Sequence, residues 1–173
     1  MIRSLLLGGA AASLAFAAAP ALAAGINDAQ IAHIAYTAGQ IDIAAGKQAL
    51  ARSHNKTVRA FAQEMVRDHT AVNVKALALV KKLHVTPQDN DTSKALSSAA
   101  AAKLKELSRL SGRAFDRAYI QNEVAYHRIV NGALRDTLIP GARNAELKSL
   151  LETGLTLFTE HQTHAEHVAS EVR

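Results

Sequence analysis

Apolar residues recur every three or four positions along most of the chain, which is the spacing of one face of an α-helix. The segments between turn residues show this helical period rather than the alternation of a half-buried strand. They are also rich in the helix-favouring residues Ala, Leu, Lys, Gln and Glu. The pattern therefore predicts an all-α protein.

Turn residues divide this pattern into four long helices and a short one. The predicted helices cover about residues 28–52, 56–83, 94–110, 113–137 and 142–173. A Ser-His-Asn turn, a loop around Pro87, a Ser-Gly pair and a Pro-Gly pair separate them. Short connections between long helices favour an up-down four-helix bundle, with the short helix inserted between the second and third long ones.

The first 23 residues have the zones of a secretory signal peptide in the required order. Arg3 is the charged end, an apolar stretch covers residues 5–19, and Ala-Leu-Ala at residues 21–23 fits the small-x-small cleavage rule. A membrane anchor is the rival interpretation, but a spanning helix needs roughly 20 apolar residues. We expect export, cleavage near residue 23, and a single mature domain of residues 24–173 without a transmembrane segment.

The amino-acid composition excludes several kinds of function for this protein. The chain has no cysteine, so thiol catalysis and thiolate metal sites are excluded and stability must come from an ordinary core. Its net charge of +5 falls to about +4 without Arg3. Lys and Arg are spread along the chain and aromatic residues are scarce, so we expect no nucleic-acid partner. Weak attraction to anionic envelope components fits the charge better.

Each long helix carries an ionisable residue near its midpoint, within an apolar seam or beside it. These residues are Asp42, His69, His127 and His161. The midpoints of antiparallel helices share a level, so the four residues can meet in one layer. Neutral imidazole and ionised carboxylate are good ligands for zinc, copper, iron or manganese. The pattern therefore indicates a candidate site for a single divalent metal ion, of unspecified identity, or for protons.

Two further residues are secondary candidates for this site. Glu123 lies one turn before His127, and His164 follows His161. Steps of three drift around a helix, so His161, His164 and His167 are not expected to bind one ion together. Three other histidines lie off the seams and are expected at the surface or in turns: His33, His54 and His84.

Two other interpretations of the layer stay open. A histidine in an apolar seam is more often a packed core residue with hydrogen-bonded nitrogens, and Asp42 can be that partner. The protein would then be a non-catalytic structural or interaction module of the cell envelope, with residues 97–107 as a place for an unknown partner. An enzyme is the weakest hypothesis, because catalytic motifs are missing and a sealed core gives poor substrate access.

Four stretches of the chain carry a family resemblance: TAGQID at 37–42, FAQEMVRDHT at 61–70, LSGRAFDRAY at 110–119 and LTLFTEH at 155–161. They resemble an exported bacterial family of unknown function with a ferritin-like four-helix fold, often labelled an outer-membrane protein. The resemblance implies a ferritin-like bundle and places His69, His127 and His161 in the family's polar motifs. It implies no established activity.

The candidate site differs from the pattern of the resembled family and from the pattern of iron-binding ferritins. The family usually has glutamate where this chain has the shorter Asp42. Ferritins hold two irons with Glu-x-x-His pairs, and no such pair occurs here, so a di-iron centre is not expected. The leading hypothesis is an exported protein, periplasmic or loosely associated with the outer membrane, that binds one metal ion or protons in envelope metal handling or stress tolerance.

Overall fold

The computed structural model describes residues 25–172 as five helices joined by short connections. We number them α1 (Asp28–Arg52), α2 (Lys56–Lys82), α3 (Asp91–Leu107), α4 (Gly112–Ala133) and α5 (Ala145–Glu171). No strand occurs between residues 25 and 172, so the all-α prediction is confirmed. The predicted signal peptide, residues 1–23, lies outside the described residues. Among the described helices, none combines the length and apolar character needed to cross a bilayer.

Asparagine side chains fix the start of four helices. In each case the side-chain oxygen accepts hydrogen bonds from first-turn backbone N–H groups, and the four caps are Asn27, Asn55, Asn90 and Asn144. α1 therefore begins where predicted. α3 begins three residues earlier than predicted and α5 three residues later, because each starts directly after its cap.

The predicted break at the Pro-Gly pair is displaced. Past Ala133 the chain widens into a π-helical turn, Leu134–Leu138, and stays helical through Ile139–Gly141. The N–H of Ile139 bonds the carbonyl of Leu134, five residues back. Proline cannot donate a backbone hydrogen bond and its ring crowds the preceding turn, which a widened turn accommodates.

The chain alternates in direction from one helix to the next. α1 packs against α2 and α4, and α5 packs against the same two helices. α3 carries the chain back along the outside of α1, so α2 and α4 run parallel. Gln48 holds α3 by donating to the carbonyl of Leu104 at 2.9 Å. The molecule is a ferritin-like four-helix bundle with one short additional helix, as predicted. The four long helices do not simply alternate as in the predicted up-down order, because α3 is a crossover that leaves α2 and α4 parallel.

Two apolar clusters fill the two ends of the bundle. The first contains Phe61, Met65 and Phe115, and the second contains Leu138 and Phe158. The end of the bundle that holds the second cluster also has an open cavity of about 390 Å³, lined mainly by apolar side chains. On all four bundle helices the members of the two clusters are separated by a buried polar stretch near the helix centre.

A glycine allows α1 and α2 to approach closely. A Cβ atom on Gly46 would lie 2.8 Å from Cγ2 of Val66 and 3.1 Å from the carbonyl oxygen of Ala62. Valine is stiff at χ1 and the carbonyl belongs to the helix backbone, so neither atom moves easily. Gly132 on α4 provides a contrast, because a Cβ there would meet no atom of the described residues within 4 Å apart from its chain neighbours and its own helix backbone.

We expect Gly46→Ala to lower the free energy of unfolding by about 1–3 kcal/mol through this overpacking. Gly132→Ala, the matched control, is expected to raise it by about 0.5–1 kcal/mol because alanine restricts the unfolded chain. Urea denaturation of both variants measures the difference. Equal effects of the two substitutions would contradict the close approach at Gly46.

Candidate metal centre

The four residues singled out in the sequence meet in one buried layer between the two apolar clusters. Asp42 Oδ2 lies 3.4 Å from Nε2 of His69 and 3.4 Å from Nε2 of His127. The three histidine ring centroids are 5.3–5.6 Å apart. One nitrogen of each of His69, His127 and His161 lies within 4.8 Å of the others. We call Asp42, Glu123 and these three histidines the polar layer.

Of the two secondary candidates, only Glu123 belongs to this layer. Its Oε2 lies 3.8 Å from Nδ1 of His127, and it is 1% exposed. Oxygens of Asp42 and Glu123 and a nitrogen of His127 also lie within 4.8 Å of one another. His164 is outside the layer, because it is turned away from His161 around α5 and pairs with Glu64 at 2.8 Å.

The hydrogen bond of His127 to the backbone fixes which ring nitrogen is free. Nδ1 lies 3.0 Å from the carbonyl oxygen of Glu123. A carbonyl can only accept, so Nδ1 carries the proton and Nε2 keeps its lone pair. Nε2 is the nitrogen that faces Asp42. The backbone of α4 therefore orients a ligand nitrogen toward the centre of the layer.

A carboxylate orients His161 in the same way. Its Nε2 lies 3.1 Å from Oδ2 of Asp68. The Asp68 pKa is lowered by its hydrogen bond to Arg67, so the carboxylate is ionised and accepts the Nε2 proton. Nδ1, the other nitrogen, then carries the lone pair and is buried without a hydrogen-bond partner in the part of the chain that the structure describes. Such a carboxylate–histidine arrangement is common behind metal-bound imidazoles.

Packing rather than hydrogen bonding holds the third histidine. The His69 ring stacks on Phe158, with centroids 4.5 Å apart and planes 14° apart. Neither ring nitrogen of His69 has a hydrogen-bond partner among the described residues. Its 3.4 Å approach to Asp42 is a close contact without hydrogen-bond alignment. His69 therefore keeps a nitrogen available to a ligand in the layer.

Burial suppresses the charge of the two carboxyl groups. Desolvation raises the pKa of Asp42 to about 8. Burial also raises the pKa of Glu123 well above its usual range, and the nearby Asp42 raises it further. Two neighbouring carboxylates in a dry site cannot both ionise cheaply. At neutral pH the carboxyl groups of Asp42 and Glu123 are therefore mostly protonated.

The histidines are neutral at the same pH. Burial lowers the pKa of His127 to about 4 and lowers that of His69 well below its usual value. Burial lowers the pKa of His161 as well, although its hydrogen bond to Asp68 opposes the shift. The layer is thus an uncharged group of donors from which a divalent cation has to displace only carboxyl protons.

Sequence reasoning missed the acidic residues behind the histidines. Asp68 contacts His161 and Glu64 contacts His164. Their i, i+4 spacing on α2 was the available signal, since it places both carboxylates on one helix face.

The three histidines that were predicted to lie off the seams differ in exposure. His54 and His84 are exposed in turns, whereas His33 is half-buried on α1.

Comparison with known proteins identifies the family. The family described as a domain of unknown function, DUF4142, matches residues 11–168. The chain belongs to this family. The match includes all five residues of the polar layer, and the DUF4142 description carries no activity. A search of curated proteins found no match.

A solved structure shares the fold of this DUF4142 protein. It is described as a secreted protein, DUF305, from Streptomyces coelicolor. The TM-score is 0.70 at 13% sequence identity, and the alignment covers 83% of this chain and 91% of the other. At this identity the likeness shows the helical fold alone.

Proposed function

We propose that the protein binds a single divalent transition-metal ion in the polar layer. The observation that carries the proposal is the convergence of His69, His127 and His161 to within 4.8 Å, with Asp42 3.4 Å from two of them. Each histidine has a lone-pair nitrogen without a hydrogen-bond donor among the described residues. A buried polar atom left unpaired costs about 1–3 kcal/mol. A cation bound between these atoms would compensate that cost for several of them at once.

The donor set restricts the class of ion. Three imidazoles and one or two carboxylates suit zinc, copper, iron or manganese, whereas calcium and magnesium prefer oxygen ligands alone. Two of the imidazoles are held by fixed acceptors, the Glu123 carbonyl and Asp68. Such support keeps ligand nitrogens in position before the ion arrives.

The cellular role that fits this site is metal handling or stress tolerance in the cell envelope. Export is supported by the signal-peptide pattern of residues 1–23 and by the secreted protein that shares the fold. We place the protein in the periplasm or in loose association with the outer membrane. A non-catalytic binding role fits a layer that is at most 2% exposed.

Metal analysis of untagged protein tests the proposal. We expect the wild type and the control His54→Ala to bind zinc, copper, iron or manganese and to unfold at higher temperature with the ion. His69→Ala is expected to lose most of this affinity, by roughly 100-fold or more. Absence of bound metal in the wild type, together with no thermal shift on adding any of the four ions, would overturn the proposal.

The second candidate function is a structural or interaction module. It is favoured by the neutral state of the layer, which permits a purely structural polar core, and by α3, in which only Ser93 and Leu107 are buried. In that case His69→Ala lowers stability by the same amount with and without metal. The thermal measurement above therefore separates the two functions.

A further inference from the structure

A second group of ligand-type side chains lies between α2 and α5, outside the centre of the polar layer. Glu64 and Asp68 stand one turn apart on α2, and His161 and His164 on α5 contact them. Ligand atoms of Glu64, Asp68 and His161 lie within 4.8 Å of one another. We call these four residues the outer cluster.

The outer cluster becomes more buried toward the polar layer. The exposed fraction of the side chain is 39% for His164, 31% for Glu64, 17% for Asp68 and 1% for His161. His161 also belongs to the group of three histidines in the layer. Contiguous metal-ligating side chains therefore connect the solvent with the buried site.

The two ring nitrogens of His161 have different surroundings. Its Nε2 faces Asp68 in the outer cluster, and its buried Nδ1 has no hydrogen-bond partner within residues 25–172. A neutral imidazole has a single lone pair, so it can bind one ion at a time, through either nitrogen. Binding through Nδ1 leaves the proton on Nε2, which donates it to Asp68 as described above for the layer.

We propose that the outer cluster is a transit site through which a divalent metal ion reaches the polar layer. Glu64 and Asp68 take the ion from solvent, and the ion then moves to the lone pair of Nδ1 on His161. His161 keeps its Nε2 proton, donated to Asp68, throughout this transfer, so the ring stays neutral and no ring proton has to move. The inference rests on the proposed function, because it requires a final site in the layer.

Arg67 is the competing cation at this site. Its Nε and Nη2 donate to the two Asp68 oxygens at 2.7 and 2.9 Å, and its side chain is 69% exposed. Exposed ion pairs of this kind are weak, so a divalent ion can displace the guanidinium. Arg67 thus covers the carboxylate until the ion arrives, and its removal should speed binding.

Stopped-flow absorbance with Co²⁺ tests the transit site. We expect Glu64→Gln to lower both the association and the dissociation rate constants by about tenfold while Kd stays the same. The matched control is Glu152→Gln, which removes the same charge from an exposed position on α5 three turns before His164. Arg67→Gln is expected to raise the association rate constant severalfold above that of the exposed-charge control Lys148→Gln.

The variants separate failure of the transit site from failure of the proposed function. If the wild type binds Co²⁺, Asp42→Asn does not, and Glu64→Gln associates as fast as Glu152→Gln, only the transit site is overturned. A Glu64→Gln variant with a changed Kd and an unchanged association rate also overturns it. If the wild type binds no Co²⁺, or Asp42→Asn binds it equally well, the proposed function fails and the transit site fails with it.

Discussion

Asp42→Asn is expected to stabilise the metal-free protein and to abolish its response to metal. The Asp42 pKa is about 8 in the folded protein, against an ordinary value of 3.8. Because the folded-state pKa is raised, Asp42 must take up a proton on folding between about pH 4 and pH 8. Its contribution to stability is therefore fully present below pH 4 and is lost as the pH rises.

Asparagine has the same shape and cannot ionise, so it avoids this cost. At pH 7.5 the gain in free energy of unfolding is expected to be on the order of 4 kcal/mol, and it should shrink toward pH 4. The Asn amide can also donate to the lone pair of His127 Nε2. Urea denaturation of both proteins at pH 5 and 7.5, after chelator treatment, measures the difference.

The same substitution removes a carboxylate ligand, so zinc should no longer raise the unfolding temperature. Asp116→Asn is the control, because Asp116 is also buried but belongs to neither the polar layer nor the outer cluster. It is expected to keep the metal response. An Asp42→Asn protein that is less stable than wild type at every pH would mean that Asp42 is ionised in the folded protein and paired with a histidine, which contradicts its raised pKa.

Metal affinity is expected to rise about tenfold for each pH unit between roughly pH 6 and pH 8 and then to level off. Below the Asp42 pKa of about 8 the ion must displace the carboxyl proton, and the cost grows as the pH falls. The histidines do not contribute in this range, because burial lowers their pKa values and that of His127 is about 4.

Calorimetric titration with Mn²⁺ in buffers of different ionisation enthalpy counts the released protons. Release of one proton per ion means that a single carboxyl group becomes a ligand, and Asp42 is the expected one because it contacts both His69 and His127. Release of two, with a steeper pH dependence, adds Glu123, whose pKa is also raised. An affinity that is flat between pH 6 and pH 8 would contradict the protonated state of the layer in the metal-free protein.

The sequence predicts the start of a helix well where the capping residues lie close to each other in the chain. α1 has the predicted bounds because Asn27 and Gln30 cap each other across its first turn. The starts of α3 and α5 were placed less well, since Asn-Asp and Arg-Asn segments are equally typical of loops. The π turn after Ala133 depends on how Pro140 is accommodated in the fold, so the helical period did not indicate it.

The sequence by itself determined that the chain is helical, which residues occupy the apolar seams, and that Asp42, His69, His127 and His161 lie near helix midpoints. A helical period fixes which face of each helix turns inward, because side-chain spacing is a property of the single helix. The four residues therefore come together in the structure at the level expected for them.

The tertiary structure decided which helices are neighbours, and with them the chemistry of the site. Asp68 and Glu64 became partners of His161 and His164 only because α2 packs beside α5. The free nitrogens of His127 and His161 follow from acceptors near in space, and the raised pKa of Asp42 follows from complete burial. Hydrogen-bond partners and desolvation depend on distances between helices, which no periodicity along one helix contains.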